Sequence, residues 1–246
     1  MTHVDARRLL KSRPYFASQM VINGDADGFV GGVSRNYGDV LRPTLELIGP
    51  NEKTHCVVGC YMVNVKGRTI FLADATVNVY PDSRTLAEIA VQTAKVARRF
   101  GVAPKVAMLS FSNFGSSRAQ RSERIEDAIE FARELDPSLI IDGPMQADTA
   151  LNGEVQEEYP FMEFNGPANG LVLPNLAAAN IAYKLLEELG DAEMTGPILE
   201  GMDKPVQLVA RRDGVRHIVN MAAICAADAI RQDSYWESLV SPLDVR

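Results

Sequence analysis

KVAMLSFSNFGSS, residues 105–117, sets the frame for the whole chain. Its first half, Lys105 to Ser110, is an apolar run of strand length, the pattern of a strand buried on both faces. Its second half gathers Ser110, Ser112, Asn113, Gly115, Ser116 and Ser117 before an amphipathic stretch, Ser122 to Leu135, that is predicted to be helical. Strand, polar loop, helix is the repeating unit of a parallel α/β sheet, and ligands bind at the C-terminal ends of such strands. Upstream, Ser83 to Phe100 is the clearest helix. Leu86, Ile89, Ala90, Thr93, Val96 and Ala97 share one face, Ser83 is the expected cap and Gly101 the stop. Downstream, Leu139–Ile141 and Leu171–Leu173 are strand-sized, and Leu176–Leu189 is a helix ended by Gly190. The alternation predicts an α/β fold with a largely parallel sheet.

The N-terminal part has another rhythm. Residues 5–11 and 14–22 have helical periodicity, with Pro14 opening the second helix. NGDADG (23–28) is a turn, Phe29–Val33 a short strand, and Gly38–Ile48 a helix that must place Pro43 in its first turn or kink around it. His55–Val65 and Arg68–Ala73 flank Lys66-Gly67 as a hairpin. The change at Gly101 divides the chain into two expected lobes, with the helix 83–100 joining them.

At 246 residues, with 46% hydrophobic and 23% charged, the composition is that of a globular protein of one large or two small domains. The net charge of −7 and the pI near 5.1 exclude a general nucleic-acid binder, which needs positive charge against phosphates. No run reaches the ~18 apolar residues of a membrane span, and the N-terminus carries no signal-peptide apolar region. A cytoplasmic protein without membrane attachment is expected. Cys56, Cys60 and Cys225 are odd in number, and the spacing of the first two, with His55 beside them, is not that of a zinc site. Buried thiols in a reducing compartment, with no metal and no covalent cofactor, are the expectation.

Three stretches carry possible chemistry. In NGDADGFV (23–30), Asn23, Asp25, Asp27 and Gly28 match the opening of a calcium loop, but the twelfth position, which needs a glutamate, is Ser34. The calcium reading fails. The serine-rich loop 109–117 is neither a Walker loop nor a nucleophile elbow. Its hydroxyls and N–H groups suit an anion, although composition alone fits a plain loop equally well. KPVQLVARRDGVRHIVN (204–220) concentrates Lys204, Arg211, Arg212, Arg216 and His217 in an acidic chain. Guanidinium groups there suit a phosphate, and a solvated turn before a helix is the competing account.

Read in order, RPYFASQMVINGDADGFVGG, LADATVNVYPDSRTLAEIA, KVAMLSFSNFGS, ANGLVLPNLAAANIAYKLL, GPILEGMDKPV and IVNMAAICA resemble the phosphate acetyl/butyryltransferase family over nearly the whole chain. NGDADGFVGGVSRNYGDVLRP is similar in particular to the C-terminal phosphotransacetylase-like domain of large bacterial NADP-dependent malic enzymes. Family domains begin with a further strand–helix segment that this chain lacks. The resemblance implies a two-lobed α/β fold of the isocitrate dehydrogenase type with a cleft between lobes. The first lobe is expected from residues 1–100 and 205–246, and the second, inserted, from 101–204.

Active members exchange an acyl group between coenzyme A and phosphate. Arginines hold the phosphate and a base assists the thiol. The family pattern, anchored on Lys204-Pro205-Val206 and Ile218-Val219, has Ser-Arg and then an Asp before the Ile-Val pair. Here these positions are Ala210, Arg211 and His217. The resemblance therefore implies an acyl-CoA-binding, acetyl-CoA-sensing domain without transferase activity, serving a malic-enzyme catalytic domain. An active transferase with His217 as base is the alternative, since imidazole is the side chain that titrates nearest neutrality. Ser110, Ser112, Asn113, Gly115 and Ser116 on one wall of the cleft and Arg211 on the other are the expected acyl-CoA and phosphate ligands. Arg42, Asn169 and Lys204 join them by position in the family pattern, which also covers Pro174, Asn175 and Asn180. Apolar, alanine-rich helices at Leu176–Leu189 and Met221–Ile230 suit a homo-oligomer, or burial in the chain's own core.

Overall fold

A computed structural model describes residues 2–116 and 120–232. The chain divides into two compact units, residues 1–55 with 202–246, and residues 56–201.

The first unit contains α1 (His3–Leu9), α2 (Arg13–Asn23), β1 (Phe29–Gly32) and α3 (Tyr37–Leu47), and from the tail β8 (Val206–Val209) and α9 (Val215–Gln232). β1 and β8 pair in parallel, Phe29 with Val206 through Gly32 with Val209. Gly32 has φ +136°, and a Cβ there would lie 1.8 Å from the Val209 carbonyl oxygen, so only glycine permits this approach. Pro43 falls in the second turn of α3 without ending it.

The second unit contains β2 (Val58–Val65), β3 (Arg68–Ala73), α4 (Ser83–Arg99), β4 (Lys105–Leu109), α5 (Gln120–Leu135), β5 (Ile140–Met145), α6 (Ala147–Leu151), α7 (Gly153–Gln156), β6 (Gly170–Val172), α8 (Leu176–Leu189) and β7 (Glu193–Glu200). Its six-stranded sheet runs β5-β4-β6-β3-β2-β7. The pairings from β5 to β3 are parallel and those of β2 antiparallel, so the sheet is parallel only in part. The hairpin turn is Lys66-Gly67, both at positive φ, as a two-residue connection requires.

Alternation along β3 explains how the sheet is covered. Ile70 and Leu72 join the cluster of Tyr61, Leu171, Ala179 and Tyr183 toward α8. Phe71, fully buried, is on the opposite face with the ring of Phe100, just beyond α4. Leu86, Ile89, Ala90, Thr93, Val96 and Ala97 of α4 are all buried, as their spacing predicts. The cap, however, is Asp82 and not Ser83: its carboxylate accepts the Thr85 N–H at 2.8 Å, one residue earlier than expected.

The boundary between units also differs from the expected one. Residues 56–100 do not pair with β1. Their strands β2 and β3 continue the sheet of residues 105–200 through the β3–β6 pairing. The break therefore falls at residues 55/56 and 201/202, not at Gly101 and Lys204.

Candidate functional site

In the second unit the chain leaves β4, goes out to β5 and returns to β6 on the other side of β4. That reversal lies beyond the C-terminal ends of β4 and β6, the place where open parallel sheets bind ligands. The serine-rich loop lies there. Its backbone is tied to the end of β5 by Ser110 N–H to Met145 C=O (2.8 Å) and Phe114 N–H to Pro144 C=O (2.7 Å). Phe114 and Gly115 both have positive φ, 43° and 74°, which turns the loop sharply.

Asn113 holds this loop in shape. Its Oδ1 accepts the Gln146 backbone N–H at 2.7 Å, and its Nδ2 donates to Tyr159 Oη at 3.0 Å. Gln146 Nε2 closes the ring by donating to the Phe111 carbonyl. The Asn113 amide, expected to meet ligand, is thus occupied within the loop. Ser112 is 7% exposed, and its hydroxyl has no partner among the described residues. Ser110 is half-buried and Ser116 exposed, while Ser117 lies outside the described residues.

Two groups that the sequence reading did not single out stand at the same edge of the sheet. Asp74, immediately after β3, accepts N–H groups from Gly59, Thr76, Val77 and Asn78, and the Asn78 amide at 2.6 Å. Burial pushes its carboxyl above the ordinary range, and these donors oppose the rise. Arg124 on α5 donates to the carbonyls of Pro81 (3.0 Å) and Pro174 (2.9 Å), tying together the loops that follow β3 and β6. The stretch LADATVNVYP carries five of these residues, but no local spacing rule marks a buried acid that serves as an N–H acceptor.

Asn169 is placed differently from expectation. Its Oδ1 accepts Lys105 N–H and its Nδ2 donates to Ala103 C=O, both at 2.8 Å. It joins the N-terminal ends of β4 and β6, opposite to the serine loop, and is structural. Asn175 caps α8 by accepting Ala178 N–H, and Asn180 reaches the Ala75 carbonyl at 3.5 Å.

In the first unit, Arg211 and Arg212 are exposed in the turn that follows β8, just before α9. Guanidinium groups beside a helix N-terminus favour an anion. Asp213 closes this turn by accepting Ala210 N–H at 2.5 Å, and its Oδ2 lies 3.4 Å from His217 Nε2. Lys204 is not part of this cluster. It precedes β8 while Arg211 follows it, so the strand's length separates them. Lys204 instead lines a hollow of about 520 Å³ with Asp27, Val21, Ala226 and Ile230. Arg42 is exposed on α3, one turn before Glu46, which accepts the Tyr15 hydroxyl. Among the described residues there is no group of three metal-ligating side chains, and no helix long and apolar enough to cross a membrane.

The model of the phosphate acetyl/butaryl transferase family matches residues 1–226. The chain belongs to this family. The phosphotransacetylase of Streptococcus pyogenes has the same fold, with a TM-score of 0.88 at 36% identity over 94% of this chain and 71% of that one. The NADP-dependent malic enzyme of Rhizobium meliloti is 42% identical over 226 residues, 92% of this chain and 30% of the enzyme. The phosphate acetyltransferase of Bacillus subtilis is 38% identical over 230 residues, 93% of this chain and 71% of the relative. The chain therefore spans under a third of the malic enzyme's length and about seven-tenths of the transferases'. Within the family's α/β fold, the serine loop sits at the C-terminal ends of β4 and β5, and within the first unit Arg211 stands apart from Lys204, two positions that the family pattern had grouped.

Proposed function

We propose that this chain is an acyl-CoA-binding module of the phosphotransacetylase type, sensing acetyl-CoA or a related acyl-CoA for an NADP-dependent malic enzyme, and transferring no acyl group itself. One observation carries the reading. At the tail turn Arg211 is exposed, but Ala210 offers no hydroxyl, and His217, where the family pattern has an aspartate, lies against Asp213. Ligand binding needs the charge, whereas turnover also needs the hydroxyl and the base. A positioned acid or base is worth ~10²–10⁴ in rate, so its loss separates the two. Similarity to a malic enzyme supports the partner.

The test measures thioester formation from acetyl phosphate and CoA beside acetyl-CoA binding on one sample. Binding without turnover supports the module. Turnover near the ~10 s⁻¹ typical of enzymes supports the second reading, a working phosphate acetyl/butyryltransferase. What favours that alternative is the same His217–Asp213 pair, since a carboxylate beside an imidazole is how a base is oriented.

Self-association belongs to the same proposal. Ile181, Leu185 and Leu189 of α8, and Val219 and Ile230 of α9, are exposed apolar side chains. A monomer in sedimentation at micromolar concentration removes it.

A further inference from the structure

We propose that the neutral, amide-bearing arm of the acyl-CoA, its pantetheine, lies along an aromatic ledge formed by Phe111, Phe114 and Phe161 beside the serine loop. The inference rests on the acyl-CoA reading above and adds where, and by which part, the ligand is held.

The ledge is built rather than incidental. Phe114 stacks edge-on against Phe161 at 4.9 Å between centroids, and Tyr159 lies 5.2 Å from Phe114. The Asn113 bond to Tyr159 Oη fixes this cluster to the loop. Phe161 is nevertheless 64% exposed despite these contacts, and Phe111, three residues before Phe114 in the same loop, is 58% exposed.

The polar group at the Phe111 carbonyl suits an amide. Gln146 is exposed, and its carboxamide uses one N–H on the Phe111 carbonyl and one oxygen lone pair on Asn113. One N–H and one lone pair remain. That is the complement of a secondary amide, and the pantetheine arm contains two amides on an otherwise apolar chain.

Charge excludes the other end of the ligand from this place. Asp148, Glu157 and Glu158, each within two residues of Gln146 or Tyr159, are exposed. Arg133, a cation on the neighbouring helix, is already paired with Glu163. A nucleotide carrying several phosphates is repelled here, while an uncharged chain is not.

The experiment compares three ligands, acetyl-CoA, acetyl-pantetheine and adenosine 3′,5′-bisphosphate, against the parent protein, Phe161→Ala and Phe111→Ala. Dissociation constants come from titration calorimetry or ligand-observed NMR, and circular dichroism confirms that each variant is folded. Acetyl-CoA and acetyl-pantetheine are expected to bind about tenfold more weakly to each variant, the scale of one lost stacking surface. The bisphosphate is expected to be unaffected. Unchanged acetyl-CoA affinity in both variants overturns the ledge and leaves the acyl-CoA reading standing. An equal loss for the bisphosphate also overturns it, because the ledge then serves the nucleotide. If the parent protein binds no acetyl-CoA at all, the underlying reading fails and the ledge falls with it.

Discussion

Asp213 Oδ2 and His217 Nε2 are 3.4 Å apart across one turn at the start of α9, both about four-fifths shielded from solvent. The carboxylate also accepts the Ala210 N–H, so the group that lies beside the histidine also shapes the turn. A simple back-substitution to the family pattern therefore conflicts with its surroundings. His217→Asp sets two carboxylates four residues apart, where like charges repel. The variant is expected to lose roughly 0.5–1 kcal/mol of stability, read by chemical denaturation. Even with Ala210→Ser it is expected to show only a trace of transfer, and adding Asp213→Asn is expected to recover the lost stability.

Arg211 and Lys204 flank β8 at opposite ends, so their removal is expected to have unequal effects. Arg211→Ala is expected to weaken acetyl-CoA binding by ~1.5–3 kcal/mol, the range for a hydrogen bond to a charged group. Lys204→Ala is expected to leave it unchanged. Calorimetric titration of both variants decides, and equal losses contradict the separation of these residues.

Asp82 caps α4, and the Thr85 backbone N–H that its carboxylate accepts holds its pKa below the usual value. Asp82→Ala is expected to cost about 1 kcal/mol at neutral pH. Because the folded-state pKa is depressed, this contribution is fully present above the unfolded value near 3.8 and is lost as pH falls through the folded one. Denaturation midpoints of parent and variant are expected to differ at pH 7 and to converge in strong acid.

Burial raises all three thiols, Cys225 to about 11. At pH 8 that leaves on the order of a hundredfold less thiolate than an exposed cysteine has. Alkylation of the folded protein by iodoacetamide is expected to be slower by about that factor, and denaturant is expected to abolish the difference. Rapid labelling of the native chain contradicts this.

The elements with strong periodicity were legible. The apolar face of α4, the hairpin around Lys66-Gly67 and the strand-loop-helix at residues 105–135 follow from side-chain spacing alone. β7 was not, because Pro197 interrupts its pattern. The proline is accommodated because β7 is an edge strand and its register against β2 shifts between Cys60 and Met62. The boundary at residue 55 was also hidden, since nothing local distinguishes a hairpin that joins one sheet from one that joins another. At the site, the serine loop could be found from its place after a buried strand. The internal duties of Asn113 and Asn169 could not, because an amide that binds a ligand and one that binds a backbone look alike in sequence.

The first residues of β2 pair with the last residues of β7, Val58 with Glu200, and just outside them Pro50 is bridged to Met202. The inserted unit thus begins and ends at one place, and so does the gap it leaves in its host. Closing that gap costs little loop entropy, which grows only slowly with the length spliced in. Such a segment has the ends of a cassette: residues 56–201 enter and leave the host at neighbouring points, each side closed by its own hydrogen-bonded pairing.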